Sequence, residues 1–493
     1  MRGAAASRID PESSALDARA CFRAMSSRDR RFEGRFVTAV RTTHVYCRPG
    51  CPAPLPKRQN VTFFPHAAAA EAAGYRPCRR CRPELSPELR PWPDTSRTVT
   101  RAVRLIAGGA LDGDGTLDDL VMRLGVGERH LRRLFARHLG ASPIALAQTR
   151  RVHFARRLLD ETSLSMTDIA LAAGFSSVRR FNDVFRQTFA RSPSEVRTTS
   201  HPAETADVVL RLPFAPPYDW DALIVFLAAR AIPGVESLAD GVYRRSIEVD
   251  GTAAGIEVRL VAGEDCLRLR VVATLPIDLL RVVERVRRLF DLDCDPKRIA
   301  SHLGRDRTLA GLVRTHPGLR VPGAWDPFEM AVRAILGQQV SVRGASTLAG
   351  RIAQTFGVAS TCGLPGVTHH FPSASRLAGG DLRRIGMPSA RASAIQGLAR
   401  AVAGRSIVLD GSRDLETTVA ALTTLPGIGP WTAHYIAMRA LGEPDALPAE
   451  DLGIKKALAR NGLRPTRTNI LDAAEAWRPF RAYAVMHLWR SLQ

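Results

Sequence analysis

The sequence predicts a multidomain protein that is mostly α-helical with α+β parts. Its 493 residues are enough for about three or four domains. Alternating apolar and polar residues, typical of half-buried strands, are concentrated between residues 205 and 290, whereas apolar residues recur at helical spacing in the regions before and after. Two close cysteine pairs near the N-terminus add a small metal-centred domain.

The chain is strongly basic, with 70 Lys and Arg residues against 48 Asp and Glu residues and a formal net charge of +22. This excess favours a polyanionic partner, foremost double-stranded DNA, although charge alone leaves open an arginine-rich composition without a specific partner. The four remaining cysteines are scattered, which argues against a disulfide framework. Because no apolar run approaches membrane-spanning length and the N-terminus lacks an apolar secretion segment, we expect a cytoplasmic protein with no membrane partner.

The two cysteine pairs define the first domain, which we expect at residues 15–90. Three residues separate Cys47 from Cys51, two separate Cys78 from Cys81, and 26 residues lie between the pairs. Four thiolates at this spacing can converge on one tetrahedral zinc ion. An inert structural zinc site is the simplest interpretation, but the arginines beside both pairs also favour a phosphate-bearing ligand.

The stretches RFVTAVRTTHVYCRPGCP and AAGYRPCRRCRPE around these pairs resemble the zinc domain of the Ada family of adaptive-response regulators. The resemblance implies that Cys47, in VYCRP, accepts a methyl group from a methyl phosphotriester in damaged DNA. Zinc would hold the sulfur as the nucleophilic thiolate. Methylation would then remove one negative charge and strengthen DNA binding by removing like-charge repulsion. RNA polymerase is a candidate partner of such a regulator.

A proline-rich stretch at Ser86–Ser96 predicts a linker, and we expect a helical domain at residues 97–199. In this domain Thr116 and Asp119 predict a capping box before an apolar run. A glycine turn and the basic helix GERHLRRLFARHLG follow. The segment LSMTDIALAAGFSSVRRFNDVFRQTF repeats this arrangement, so the sequence predicts two helix-turn-helix units.

These units resemble the DNA-binding domain of AraC-type regulators, in which a recognition helix enters the major groove. The candidate DNA-contacting residues are Arg129, His130, Arg132 and Arg133 in the first unit and Ser176, Ser177, Arg179, Arg180 and Asn182 in the second. For any single arginine, a phosphate contact or a solvated position is the simpler alternative to base recognition.

A second linker is predicted at His201–Asp207, and a sheet domain at residues 205–290. The stretches VVLRLPF, GIEVRLVAG and CLRLRVVATL alternate as strands of an antiparallel sheet do, while Asp219–Ala231 and Pro276–Phe290 are helical in pattern. This domain resembles the N-terminal domain of AlkA-type 3-methyladenine DNA glycosylases. Nothing in it indicates a catalytic role.

The last domain, expected at residues 291–493, is all-helical in pattern. Asp326 and Glu329 predict a helix start with a capping box. LTTLPGIGPWTAHYIAMRAL predicts two helices joined by a hairpin, in which Gly427 and Gly429 let the backbone turn tightly and approach a DNA phosphate.

LPGIG followed by an acid about twenty residues later resembles the signature of the helix-hairpin-helix glycosylase superfamily, and the whole region resembles the AlkA-type enzymes. The resemblance implies that Asp451 stabilises positive charge on the sugar as the N-glycosidic bond breaks and orients the attacking water. The neighbouring Glu450 is a minor alternative. Trp431 occupies the position at which bifunctional relatives carry a lysine, so we expect base release without strand cleavage. No cysteine cluster follows Cys362, so no iron–sulfur cluster is expected.

The same resemblance implies the remaining site residues. Trp431, Tyr435 and Trp489 would line a pocket for a flipped cationic purine, although helix packing is the simpler alternative for each ring alone. Gln339 occupies the wedge position that is a leucine in the best-known relative. The carbonyls matching a monovalent-cation site at the hairpin belong to Thr423, Leu425 and Ile428.

Together these parts predict an alkylation-damage DNA repair protein, in which a glycosylase for bases such as 3-methyladenine is fused to a methyl phosphotriester-sensing regulator. The PCHR motif of a second Ada methyltransferase domain is absent from the sequence, so no O6-methylguanine repair is expected. Two alternatives remain. One is a transcriptional regulator whose glycosylase-like half only clamps DNA, and the other is a glycosylase whose N-terminal half only docks DNA through a structural zinc.

Overall fold

The computed structural model describes residues 17–29, 32–85, 96–197, 207–273, 276–460, 462 and 464–492. The two predicted linkers, Ser86–Ser96 and His201–Asp207, lie almost entirely outside these residues. The chain divides into two compact units: one extends to Glu204 and includes Asp278–Arg281, and the other comprises Thr205–Ile277 and Val282–Gln493. None of the described helices is long and apolar enough to cross a membrane.

The N-terminal part of the first unit is a small sheet with two flanking helices. Its elements are α1 (Ala18–Ser26), β1 (Val37–Val40), β2 (Val45–Cys47), β3 (Val61–Phe64), α2 (Ala67–Ala72) and β4 (Arg76–Pro77). The strand order is β3-β1-β2-β4, with β2 antiparallel to β1 and parallel to β4. The parallel pairing of β2 with β4 brings the end of β4 beside the end of β2.

The rest of the first unit is helical. The helices are α3 (Arg97–Ala107), α4 (Leu117–Leu124), α5 (Glu128–Leu139), α6 (Pro143–Glu161), α7 (Met166–Ala172), α8 (Val178–Phe189) and α9 (Pro193–Val196). Both predicted helix-turn-helix units are present, as α4 with α5 and α7 with α8, and α6 joins them. The predicted capping box of Thr116 and Asp119 is formed at α4. Ala68 and Ala69 of α2 pack into the core of these helices, so the cysteine-bearing part and the helical part share apolar packing.

A five-stranded antiparallel sheet opens the second unit. Its elements are β5 (Val208–Pro213), α10 (Trp220–Ala228), β6 (Glu236–Ala239), β7 (Val242–Val249), β8 (Thr252–Leu260), β9 (Cys266–Ala273) and α11 (Leu279–Leu289). The strand order is β5-β9-β8-β7-β6. The sequence predicted β5, β8, β9 and both helices but missed β6 and β7. In β7, Arg245 and Ser246 are both 2% exposed, so buried polar residues break the alternation that reveals a strand.

The remainder of the second unit is helical apart from a short hairpin of two strands. The elements are α12 (Pro296–Leu303), α13 (Ala310–Thr315), α14 (Pro327–Leu336), α15 (Val342–Phe356), β10 (Val358–Ala359), β11 (His369–His370), α16 (Ala374–Gly379), α17 (Ser389–Ala403), α18 (Leu415–Thr423), α19 (Pro430–Arg439), α20 (Leu452–Arg460), α21 (Arg467–Glu475) and α22 (Arg481–Arg490). One core packs α14, α15 and α17 against α19, and a second core packs α19, α20 and α22 against α10. Helix α19 therefore belongs to both cores.

The start of α14 corrects one prediction. Asp326 caps the helix as expected, accepting a hydrogen bond from the amide of Glu329. The carboxylate of Glu329 does not complete the predicted box. It is buried and accepts hydrogen bonds from Arg245 (2.7 Å) and Arg333 (3.3 Å), while Glu236 accepts a bond from Arg333 at 3.0 Å. A buried carboxylate needs such partners, so pairing with arginine replaces capping at this residue.

Candidate metal centre and active site

The structure brings the four predicted cysteines together at the ends of β2 and β4. The amide of Cys78 donates to the carbonyl of Tyr46 (2.9 Å), and the amide of Cys51 donates to the carbonyl of Arg48 (3.1 Å) in the turn after β2. The four Sγ atoms all lie within 4.8 Å of one another. This spacing and the all-sulfur donor set fit one tetrahedral zinc ion with bonds of about 2.3 Å.

The cysteines of this cluster differ in exposure. Cys81 is 2% exposed, whereas Cys47, Cys51 and Cys78 are only partly buried. Among the neighbouring arginines, Arg48 pairs with Glu33 (3.4 Å), while Arg79 and Arg80 are exposed. A ligand can therefore reach Cys47 more readily than Cys81, and the exposed guanidinium groups can attract a phosphate to this surface.

A buried hydrogen-bond network adjoins β2, and sequence reasoning missed it. Tyr46, which precedes Cys47, donates its hydroxyl to Glu71 (2.7 Å) and lies 3.1 Å from Nε2 of His153. His153 Nε2 is 2.7 Å from the same Glu71 oxygen, and the Thr149 hydroxyl donates to the other. Burial alone would raise the pKa of Glu71, but the charge of His153 and these hydrogen bonds outweigh it and lower the pKa. The network connects β2 and α2 to α6, and no local sequence pattern could reveal it.

The predicted DNA-contacting arginines lie on the second helix of each helix-turn-helix unit. Arg129 and Arg132 on α5 are exposed, and Arg132 Nε donates to Glu128 one turn earlier (2.6 Å). Arg179 and Arg180 on α8 are also exposed. Ser177 caps α8 through a hydrogen bond from the amide of Arg180 (3.2 Å), so its hydroxyl already has a structural role.

The residues of the second predicted site meet at the start of α20. Oδ1 of Asp451 accepts hydrogen bonds from the amides of Gly453 (2.8 Å) and Ile454 (3.1 Å). The indole Nε1 of Trp489 also donates to Oδ1 (2.8 Å), and that of Trp431 donates to Oδ2 (3.0 Å). Two backbone and two indole donors thus fix the orientation of the carboxylate, and the helix N-terminus favours its negative charge.

A cavity of about 410 Å³ opens beside Asp451, and all three predicted aromatic side chains line it. The rings of Trp431 and Tyr435 stack with centroids 5.5 Å apart, and Tyr435 lies 6.1 Å from Trp489. Phe226 of α10, which was not predicted, stacks on Trp489 at 6.3 Å with an interplanar angle of 15°. The arrangement offers flat apolar faces to a ring-shaped ligand beside a fixed carboxylate.

Glu450, the alternative acid, does not line this cavity. It is exposed and lies 3.5 Å from Arg467.

Three arginines also line the cavity, and sequence reasoning missed them: Arg230, Arg333 and Arg439. Nη1 of Arg439 donates to the hydroxyl of Tyr435 (3.0 Å). Burial would raise the pKa of Tyr435, but the guanidinium groups of Arg439, Arg230 and Arg333 outweigh it, so the pKa is lowered. Burial lowers the pKa of Arg439 to about 10. In a helical sequence pattern, an arginine that lines a cavity looks the same as an arginine exposed to solvent. Nothing in the sequence therefore marked these three arginines as cavity residues.

The glycines of the hairpin between α18 and α19 have different roles. Gly427 has φ +85°, and an added Cβ would lie 2.6 Å from Cβ of Ala394, so only glycine fits. Gly429 caps α19 with φ −88°, and an added Cβ would meet open space. Gln338 holds the neighbouring loop by donating to the carbonyl of Gly427 (2.9 Å), which leaves Gln339 exposed with φ +53°.

Four family models match successive parts of the chain. They describe the metal binding domain of Ada (residues 20–84), a helix-turn-helix domain (120–199), the AlkA N-terminal domain (209–326) and the HhH-GPD superfamily base excision DNA repair protein (332–481). Each match falls on the region whose motifs carried the corresponding resemblance.

The chain is also similar to whole proteins. It is 44% identical over 479 residues to a probable bifunctional transcriptional activator/DNA repair enzyme AlkA of Mycobacterium tuberculosis, and the match covers 96% of each chain. It is 38% identical over 284 residues to DNA-3-methyladenine glycosylase 2 of Escherichia coli, covering 56% of this chain and 95% of the relative. The solved 3-methyladenine DNA glycosylase from Archaeoglobus fulgidus matches with a TM-score of 0.51 and 23% identity, covering 57% of this chain and 97% of that one, which supports the fold alone.

Proposed function

The chain belongs to the family of bifunctional transcriptional activator/DNA repair enzymes of the AlkA type, and on this premise we propose that it both excises alkylated bases and senses methylated DNA phosphate. Its Ada-type and AlkA-type domains support methyl transfer and glycosylase activity. The observation that carries the glycosylase proposal is the Asp451 carboxylate, held by four donors at the wall of an aromatic-lined cavity.

Asp451 serves as the catalytic carboxylate in this proposal. As the N-glycosidic bond breaks, the sugar develops positive charge, and a carboxylate that cannot rotate away stabilises it and orients water. The flipped base lies against the rings of Trp431, Tyr435 and Trp489, where stacking and cation–π attraction favour an N-alkylated purine such as 3-methyladenine. Such a base is already cationic and leaves readily, so a second carboxylate acting as acid is not required.

We propose that the enzyme is a glycosylase without lyase activity. Strand cleavage through a Schiff base needs an amine at the sugar. Trp431 occupies the position where that lysine would lie, and among the described residues none of those lining the cavity is a lysine. The product is therefore an abasic site in an intact strand.

Cys47 is proposed as the methyl acceptor. Its partial exposure supports this role over a purely structural one, as do the exposed Arg79 and Arg80 that follow Cys78 of the same cluster. A zinc ion held by the four cysteines would keep their sulfurs as thiolates. The Cys47 sulfur then forms a bond to the methyl carbon, the carbon–oxygen bond of the phosphotriester breaks, and the phosphodiester leaves as an anion.

Several further residues would contact DNA. Gly427 and Gly429 would let the hairpin approach a phosphate, and Gln339, exposed in a strained conformation, would enter the duplex as the wedge. The exposed arginines of the two helix-turn-helix units would contact DNA phosphates or bases; they are Arg129, Arg132, Arg179 and Arg180.

The proposal also includes a monovalent cation at the hairpin and RNA polymerase as a partner. The carbonyls of Thr423, Leu425 and Ile428 would hold the cation. The Leu425 carbonyl accepts the amide of Ile428 at 3.1 Å, and its second lone pair is available for an ion.

Two measurements on the full-length protein test these proposals. The first counts abasic sites formed in alkylated DNA by wild type and Asp451→Asn. No base release by wild type would leave a regulator with a DNA clamp. The second measures the mass of the Cys47 peptide after exposure to methyl phosphotriester DNA. A peptide without the added methyl group would leave a structural zinc domain.

A further inference from the structure

Arg230 stands out among the three arginines of the cavity because of its position on the aromatic wall. Its guanidinium carbon lies 3.7 Å from the ring centroid of Phe226, and Nη1 donates to the Phe226 carbonyl (3.1 Å). Phe226 in turn stacks on Trp489, which binds Asp451. The guanidinium is therefore held over Phe226 at the wall of the cavity, near the rings against which a flipped base would stack.

The other two arginines are held by acceptors of the chain itself. Arg333 pairs with Glu236 (3.0 Å) and Glu329 (3.3 Å). Arg439 is 1% exposed, and it donates to the Pro322 carbonyl and to the Tyr435 hydroxyl. Among the described residues, no carboxylate lies within ion-pair distance of Arg230. A guanidinium carries five N–H donors, so the Phe226 carbonyl and the neighbouring Tyr435 hydroxyl use only part of its capacity.

The arginines add hydrogen-bond donors to this cavity, while two of its acceptor groups are already engaged. The two oxygens of Asp451 already receive four hydrogen bonds, and the Tyr435 hydroxyl receives one from Arg439 while carrying a proton of its own. A guanine presents the acceptors O6 and N7 on the edge that arginine recognises, whereas adenine presents an amino group at the same position. Charge does not separate the two, because Arg230 repels a cationic guanine and a cationic adenine alike.

From this geometry we propose that Arg230 is a specificity-determining residue that selects N-alkylated guanines over N-alkylated adenines by donating hydrogen bonds to the carbonyl oxygen at position 6 of the flipped base. The proposal deepens the proposed glycosylase activity and rests on it. An N3-alkylated guanine keeps both O6 and N7 free and can accept two bonds from the planar fork. An N7-alkylated guanine offers O6 alone, so its gain from Arg230 is smaller.

The test compares matched substrates in the same duplex. Full-length protein is assayed in single-turnover reactions on 3-methylguanine against 3-methyladenine, and on 7-methylguanine against 7-methyladenine. The variant is Arg230→Met, which keeps a long side chain but no donor, and Arg259→Met, an exposed arginine of β8, is the matched control. Loss of a bidentate contact predicts that the variant releases 3-methylguanine about tenfold more slowly, with 3-methyladenine changed by less than about twofold.

Several results decide the outcome. An equal loss on guanines and adenines, or no loss on either, would overturn the proposal. Arg230→Lys keeps the charge but lacks the planar guanidinium, so it should retain only part of the preference for guanine. If its ratio of guanine to adenine release equalled that of wild type, donation by the guanidinium would be contradicted. If Arg230→Met proves unstable in thermal unfolding, the comparison of guanine with adenine release is made with Arg230→Lys, and an unchanged ratio in that variant would overturn the proposal. Failure of wild type to release any base would refute the glycosylase proposal itself and is thus distinguishable.

Discussion

Replacement of Asp451 by asparagine should abolish most base release. The substitution preserves shape but removes the charge and turns one oxygen into an amino group, so at least one of the two indole and two amide donors would face another donor. Removing one preorganised electrostatic contact of this kind lowers kcat by about 10²–10³, equivalent to about 2.7–4 kcal/mol. A donor left unpaired in a buried site costs a further ~1–3 kcal/mol of folding stability.

The assay is the rate of abasic-site formation in alkylated duplex DNA at saturating enzyme. Affinity for abasic-site DNA and thermal unfolding are measured in parallel, so that loss of chemistry is separated from loss of binding or folding. Glu450→Gln is the matched control, because Glu450 is adjacent but exposed beside Arg467 and should retain full activity. Undiminished release by Asp451→Asn, or an equal loss in both variants, would refute the assignment of Asp451.

Three further predictions concern other parts of the chain. Cys47→Ser should take up no methyl group in mass spectrometry yet release bases at the wild-type rate; a methylated peptide in this variant would reassign the acceptor. Gly427→Ala should lower the free energy of unfolding by about 1–3 kcal/mol in denaturant, because φ is +85° and the new Cβ would lie 2.6 Å from Cβ of Ala394. Gly429→Ala is the control and should be nearly neutral, because its new Cβ would meet open space. Equal effects of the two substitutions would contradict this reasoning. Burial lowers the pKa of His66 from 6.5 to about 4. The contribution of the neutral imidazole to stability is therefore complete above pH 6.5 and is lost as the pH falls toward 4. His66→Asn should reduce the difference in unfolding free energy between pH 7 and pH 5, and an unchanged difference would argue against this role of His66.

Local patterns in the sequence were enough to predict the two helix-turn-helix units, the helices α10, α11 and α14, the hairpin and the residues of the four-cysteine cluster. Close cysteine spacing and helical periodicity are properties of neighbouring residues, so they are visible without the fold. The chain brings Asp451 within hydrogen-bond distance of Trp431 and Trp489, a contact that the sequence did not predict. The catalytic, metal-binding and DNA-binding roles of the named residues, and the four domain boundaries, stay predictions.

The features that were missed depend on tertiary contacts. β7 was missed because Arg245 is buried against Glu329. In the sequence an arginine is read as a solvent-exposed residue, so the alternation of buried and exposed residues along this strand was not visible. The same pairing accounts for the wrong capping box at Glu329. Arg230 follows α10 in the region of the sheet and lines a cavity whose other residues all lie from Met330 onward, so a region in which the sequence indicated no catalytic role supplies part of the cavity wall.

The buried network of Tyr46, Glu71, His153 and Thr149 limits how freely the parts of the first unit could be exchanged between relatives. A recombinant that kept the cysteine domain and replaced α6 would leave Glu71 buried with its bond from Tyr46 but without His153 and Thr149. Breaking a buried pair in this way costs about 3–5 kcal/mol, a large part of a domain's stability. A chimera joined between residues 86 and 95 takes Glu71 from one parent and α6 from the other, and it should fold well only when the second parent also carries a histidine and a hydroxyl at the positions of His153 and Thr149.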